Sequence, residues 1–366
     1  MKKKAIYPIT ALALAACLCL FGTLVGGAAG EETIDVSKNC SLTVHESDST
    51  DEKFLADLRE AGVVLDLYKV ADVEKVAGYD TYSYSALEPY ENLDLGTKER
   101  TQDDWDRLAQ EAARLALSEG SSAKPAAEGR KSGEVVEKLD DGSDLGCGLY
   151  LLVARGEDLT EYTDVAETPE GGGEQMVTIA RSARHTYRFK PQLISLPMKG
   201  VDADGNVNTA NAGPWLYGVT VSLKPSQERR FGSLRIVKTL RTYETKEPGM
   251  FVFRIEAVLD GETVYSDVES LIFTAAGQQT IELVDKIPAG ADVTVTEVYT
   301  GAAYELQTEE SRTVQIAADS FVETDFTNDY TGDRKGGHGI VNQFDYSGTG
   351  EFDGWVWKQN PAVNAE

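Results

Sequence analysis

From residue 40 onward the chain alternates apolar and polar positions in short runs: CSLTVH, VVLDLYKVADV, GLYLLVARG, QMVTIAR, YRFKPQLISL and WLYGVTVSL. Val, Leu, Ile and Tyr fill the runs, and Gly, Asp, Pro and Ser punctuate the gaps, which is the signature of half-buried β-strands. One segment departs from this period. In TQDDWDRLAQEAARLALSEG, Trp105, Leu108, Ala112, Leu115 and Ala116 recur at helical spacing. Thr101 with Asp104 approximates a capping box there, and Gly120 supplies a stop. The following SSAKPAAEGRKSG reads as a loop. The pattern predicts a β-rich first domain over 33–226 with a helical excursion near 101–120, ended by the polar break PSQERRFG.

A second run of strands follows over 232–330: LRIVKTL, MFVFRIEAVL, TVYSDVES, QTIELVDKI, DVTVTEVY, RTVQIAA and FVETDFTND. It carries no helical period. Seven strands in about a hundred residues predict an immunoglobulin-like sandwich. The expected fold class is therefore all-β, two tandem immunoglobulin-like domains. A tail over 331–366, rich in Gly and aromatic residues, completes the chain. Its QFDYSGTGEFDGWVWKQ reads either as a hairpin able to extend a neighbour's sheet or as a disordered end.

Three polar residues interrupt the apolar faces of the second domain. Leu234 and Ile236 share a face with Lys238; Val293, Val295 and Tyr299 share one with Glu297; Phe326 and Tyr330 share one with Asn328. A lysine buried without a partner is costly, so polar groups on the first, a middle and the last strand suggest a meeting point. Burial lowers a lysine pKa and raises that of a glutamic acid. A neutral Lys238 amine can then attack the Asn328 side-chain carbonyl while protonated Glu297 polarises it and shuttles protons. The product is a Lys238–Asn328 isopeptide bond. The competing reading has Lys238 snorkelling at a strand edge and Asn328 serving a turn.

Composition narrows the setting. Asp and Glu number 61 against 35 Lys and Arg, a formal charge of −26. That excludes a basic nucleic-acid-binding face and suits a soluble, self-repelling surface protein. The opening MKKKAIYPITALALAACLCLFGTLVGGAAG has the charged start, apolar run and small residues of a secretory signal over 1–29, with cleavage near Gly27-Ala28-Ala29. A lipobox at Leu14-Ala15-Ala16-Cys17 and an uncleaved N-terminal anchor are the alternatives. With the signal removed the mature chain is exported and does not span the membrane. It retains Cys40 and Cys147, which form either one disulfide or two buried thiols. Both precede strand-like runs that can lie side by side.

Enzyme signatures are lacking. The three histidines, His45, His185 and His338, have no metal-ligand spacing. No P-loop, G-x-S-x-G or dinucleotide fingerprint occurs. VDADGNVNTANAG over 201–213 has Asp202, Asp204 and Asn206 but no closing glutamate, so it reads as a turn rather than a calcium loop. No cofactor and no metal are expected.

SLRIVKTL, FVFRIEA, IPAGADVTVTEVYTGAAYEL and FVETDFTNDY, in this order, resemble the isopeptide-bearing, Cna-B-like domains of Gram-positive sortase-assembled pilins of the streptococcal backbone type. The resemblance implies that Lys238 and Asn328 form the bond and that Glu297 catalyses it. WLYGVTVSLKP is similar to the end of a pilin N-terminal domain, with Trp215, Val219 and Val221 ahead of Lys224. The family's tyrosine–proline pair is replaced by Ser222-Leu223. By this likeness Lys224 is the amine through which sortase joins subunits; otherwise it is a solvated lysine at a strand end. DLYKVADV and GLYLLV also resemble pilin N-terminal domains. The first strand, however, offers His45 rather than a lysine, so a Cys40–Cys147 disulfide is the candidate brace there. The C-terminal GWVWKQNPAVNAE shows no LPXTG-like motif, apolar span or basic end. As written, the chain is expected to accept a bond but not to donate its C-terminus. The implied function is a structural and adhesive pilin-like subunit of the cell wall surface, partnered by other pilins and a sortase, and not an enzyme beyond its own single crosslink. The alternative is a secreted adhesin for host protein or glycan that does not polymerise.

Overall fold

The computed structural model describes residues 33–96, 100–157, 176–199 and 214–332, and, in backbone only, 162–166, 174–175, 342–347 and 354–359. The calcium-like loop over 201–213 and His338 lie outside them. The chain divides into two compact units, 1–230 and 231–366. Both are built mainly of β-strands.

In the first unit the long strand Val63–Lys75 pairs with Gly148–Gly156, with Tyr82–Ala86 and with Ala127–Lys131. Gln192–Leu196 extends the sheet beyond Gly148–Gly156. Both central strands read as continuous apolar runs rather than alternating ones because both of their faces are covered. Leu65, Leu67, Tyr150 and Leu152 face one core. Tyr68, Val70, Leu149 and Leu151 face a second core, closed by the helix Gln102–Leu117. That helix begins at a capping box between Thr101 and Asp104 and buries Leu108, Ala112, Ala113 and Ala116. Small alanines on this stripe let the helix lie close to the sheet.

A second helix, Glu52–Glu60, was not anticipated. Its signal is short. Asp51 caps it through bonds to the N–H groups of Lys53 and Phe54, and only Leu58 is fully buried, so its apolar stripe is too sparse to stand out in a strand-rich context. Three further expectations are corrected. Within the segment read as a loop, Ala127–Lys131 is a strand, and within the polar break, Ser226–Arg229 is a strand paired with His185–Phe189. The side chains of Ser226–Arg229 are all exposed, so the strand is held by backbone pairing without an apolar pattern to announce it. YRFKPQLISL, read as one strand, is two, His185–Phe189 and Gln192–Leu196. The break falls at Lys190 and Pro191, and proline has no N–H to give to a ladder.

The second unit holds a sandwich of two four-stranded sheets and a two-stranded hairpin, Asn342–Ser347 with Gly354–Gln359. One has the order Gly277–Pro288, Phe231–Leu240, Phe321–Tyr330, Tyr304–Leu306. The other has the order Glu262–Phe273, Gly249–Leu259, Asp292–Tyr299, Ser311–Gln315. Leu234, Ile236, Phe251, Phe253, Ile255, Val293, Val295 and Phe326 fill the space between them without exposure. The rings of Phe253 and Phe326 meet across the sandwich with centroids 5.3 Å apart. Burying a side chain of this kind stabilises by about 1.5–3 kcal/mol. Gly232 allows the first strand to enter tightly: a Cβ there would stand 2.1 Å from the carbonyl oxygen of Ala317. The first and last strands, Phe231–Leu240 and Phe321–Tyr330, run parallel, with Lys238 opposite Phe326 and Leu240 opposite Asn328.

Among the described residues no helix is long and apolar enough to cross a membrane.

Candidate functional site: a buried lysine, glutamate and asparagine

Alternation along Phe231–Leu240 turns Leu234, Ile236 and Lys238 inward, and Lys238 has no exposure at all. Glu297, on the facing sheet, is 1% exposed, and Asn328 is fully buried. Lys238 Nζ lies 2.5 Å from Glu297 Oε2 and 2.5 Å from Asn328 Oδ1. Asn328 Nδ2 donates to Glu297 Oε1 at 2.8 Å and to the carbonyl of Thr300 at 3.2 Å. Those two bonds hold the amide with its carbonyl oxygen toward the lysine. The rings of Phe251 and Phe253 wall the amine, with centroids 4.6 and 5.6 Å from Nζ. Sequence reasoning did not single out these two walls or the Thr300 carbonyl, although FVF in the second strand is an alternating pair of inward aromatics.

Burial governs the electrostatics. It pulls the Lys238 ammonium down to about 8, against the opposing pull of Glu297. It raises the Glu297 carboxyl, against Lys238 and Asn328. The two shifts run toward each other, so moving one proton from nitrogen to oxygen across the 2.5 Å contact costs far less than in water. The cluster can therefore present a neutral amine, a protonated carboxyl and an immobilised amide together.

One detail of the predicted faces is corrected. Tyr299 was grouped with the inward Val293, Val295 and Glu297, yet it is 42% exposed. The pairing with Gly249–Leu259 shifts register between Val252 and Phe253, so that Phe253 pairs with Glu297 and Val252 with Tyr299. Such a bulge resets alternation beyond the glutamate.

The other candidates lie in the first unit. Lys224 is exposed, just past the strand Gly218–Ser222. The preceding Leu223 is buried and its N–H donates to the His45 carbonyl at 2.9 Å. Trp215 is buried, its indole N–H bonded to Asp80. Cys40 and Cys147 are both buried thiols with their sulfurs 3.8 Å apart. His185 belongs to a structural network: Asp57 accepts from its Nδ1 at 2.9 Å, from Ser182 Oγ at 2.8 Å and from Tyr187 at 2.6 Å. His45 is exposed. No group of three or more His, Cys, Asp or Glu side chains among the described residues is placed to hold a metal ion.

The domain of unknown function DUF5979 matches residues 234–331, a stretch that contains all three members of the cluster. No curated protein matches the chain. Among solved structures, the minor pilin of Streptococcus agalactiae is similar at 13% identity over 80% of this chain and 96% of that one, TM-score 0.21. The major pilin T-13 of Streptococcus pyogenes is similar at 12% identity over 85% and 100%, TM-score 0.20. A C-terminal fragment of the pilus adhesin SpaC from Lactobacillus rhamnosus GG is similar at 10% identity over 80% and 98%, TM-score 0.21.

Proposed function

We propose that the chain is a structural and adhesive, pilin-like subunit of a Gram-positive cell surface whose second unit hardens itself by an internal isopeptide bond. The carrying observation is the contact of Lys238 Nζ, at 2.5 Å each, with Glu297 Oε2 and Asn328 Oδ1 in a site closed to water. A proton passes from Nζ to Glu297. The neutral amine attacks Cγ of Asn328, and Glu297 hands its proton to the tetrahedral centre. Glu297 relays the proton shed by the amine to Nδ2, the Cγ–Nδ2 bond breaks, and the hydroxyl proton returns to Glu297 as the carbonyl re-forms. Lys–NH2 and Asn–CONH2 become Lys–NH–CO–Asn and ammonia. Fixed proximity replaces an external catalyst, and Glu297 ends protonated, as it stood when the amine attacked, a general acid–base used once.

Intact mass of the purified protein under reducing conditions tests the bond. The wild type is expected to be lighter than its sequence by one ammonia, and Glu297→Ala to recover the full mass. A full mass in both would leave Lys238 and Asn328 unbonded and favour a plain adhesin.

Lys224 is the proposed acceptor amine for a sortase, supported by its exposure just past the strand Gly218–Ser222, whose Val219 is buried. Co-expression with the sortase and partner pilins should give ladders that survive boiling in SDS and vanish in Lys224→Ala. Ladders undiminished by that substitution would remove Lys224 from the assembly.

A further inference from the structure

The first unit has a parallel pairing of its own: its first strand, Ser41–His45, pairs in parallel with a strand near its end, Gly218–Ser222, from Ser41 opposite Gly218 to His45 opposite Ser222. That first strand carries no lysine. It is fastened at its base instead. Asn39 forms a β-bridge with Gly146, and the Cys40 N–H donates to the Leu145 carbonyl at 2.6 Å. The bridge brings the residue before Ser41–His45 beside the residue before Gly148–Gly156, a strand that pairs with Val63–Lys75 along its length. Cys40 and Cys147 sit at these two places, 4% and 7% exposed, with sulfurs 3.8 Å apart in one apolar cluster.

We propose that Cys40 and Cys147 close a disulfide that staples the first strand of the first unit to its central sheet. The sulfurs are already in van der Waals contact, and a bond needs them to approach to about 2.05 Å. The pair spans 107 positions of chain, and a link over so long a loop restricts the unfolded state strongly. The mechanical role of this staple rests on the pilin-like reading above; the bond itself does not.

The oxidant is an external disulfide, protein or small molecule, of the kind met outside the cytoplasm. Either cysteine can act first while the unit folds; with Cys147 first, its thiol gives its proton to solvent and attacks as thiolate. Attack on the external disulfide gives a mixed disulfide on Cys147 and releases one external thiol. Cys40 then loses its proton, attacks the Cys147 sulfur and expels the second. Two protein thiols and one external disulfide become one protein disulfide and two external thiols. Because both cysteines are buried in the folded unit, the exchange belongs to folding, and the finished bond is sheltered from reductants.

The full chain, refolded from denaturant in a mixture of oxidised and reduced glutathione, tests this. It is denatured without reductant, treated with N-ethylmaleimide and mapped by peptide mass. Cys40 and Cys147 are expected in one linked peptide pair, two hydrogens lighter than the reduced peptides and free of maleimide. The melting transition of the first unit should be lower when the protein is refolded with the phosphine TCEP in place of glutathione, so that the bond never forms. In Cys40→Ser and Cys147→Ser it should already be low and should not respond to TCEP. Maleimide or glutathione on both cysteines of the refolded wild type would overturn the proposal, as would a transition indifferent to TCEP. Loss of ammonia survives reduction, so absence of the isopeptide in the same spectra would sink the pilin-like reading and leave the disulfide standing.

Discussion

Glu297→Ala is expected to lower the melting transition of the second unit by about 20–40 °C and to leave that of the first unit in place. A crosslink between positions 90 apart restricts the unfolded chain by roughly 4–5 kcal/mol in the loop-entropy account. A domain of this size shifts by about 4–8 °C per kcal/mol. The same substitution strands Lys238 in the core without its carboxylate, which adds to the loss. Differential scanning calorimetry of wild type, Glu297→Ala and Asn328→Ala reads this directly. Both variants should melt low together, because both lack the bond. A second-unit transition within a few degrees of wild type in both would mean that no crosslink contributed.

Asn328→Ala should also become sensitive to alkaline pH in a way the crosslinked protein is not. Without the bond, Lys238 remains an amine whose folded pKa is depressed from 10.5 to about 8. Above the unfolded value the lysine is neutral in both states and burial carries no ionic penalty. As pH falls from 10.5 to 8 the unfolded chain takes up a proton that the folded chain does not, so stability drops by roughly 3 kcal/mol. Glu297 acts from the other side: its folded pKa is raised, so its contribution is present below the ordinary carboxyl value and is lost as pH rises through the folded one. The bond-free unit should thus be weakest near neutrality. Urea titrations between pH 8 and 10.5 should show stability rising in Asn328→Ala relative to wild type, whose lysine the proposed bond consumes as an amide. Parallel curves for the two proteins would contradict the depressed amine, the consumed amine, or both.

Lys238 was legible in the sequence because one face of its strand is wholly apolar. Leu234 and Ile236 leave a polar residue at the next inward position unexplained unless it has a partner, and Glu297 and Asn328 stood at equivalent places on two other strands. Where a single bulge resets the period, the same logic failed: Tyr299 turns outward because the paired strand slips between Val252 and Phe253. Backbone-only features were the least readable. Ser226–Arg229 pairs fully through its peptide groups while all four side chains face solvent, and nothing in such side chains distinguishes a strand from a loop. The walls of the site were present as FVF but carried no chemistry of their own to mark them. The closeness of Cys40 and Cys147 depends on a bridge between residues 39 and 146, a long-range pairing that local patterns do not encode.

The parallel course of Phe231–Leu240 and Phe321–Tyr330 has a consequence for length. In a parallel pair the first strand starts at one end of the sheet and the last strand finishes at the other, so tension on the chain traverses the unit from end to end. Were Lys238 joined to Asn328 as proposed, that tension would travel along Phe231–Lys238, cross one side-chain amide and leave along Asn328–Tyr330. The intervening loop, were it free to unravel, would add about 300 Å at some 3.4 Å per residue. Withheld by the proposed bond, it would make the unit an inextensible link: a tug at one end would arrive at the other as displacement, with no unfolding to absorb the energy on the way.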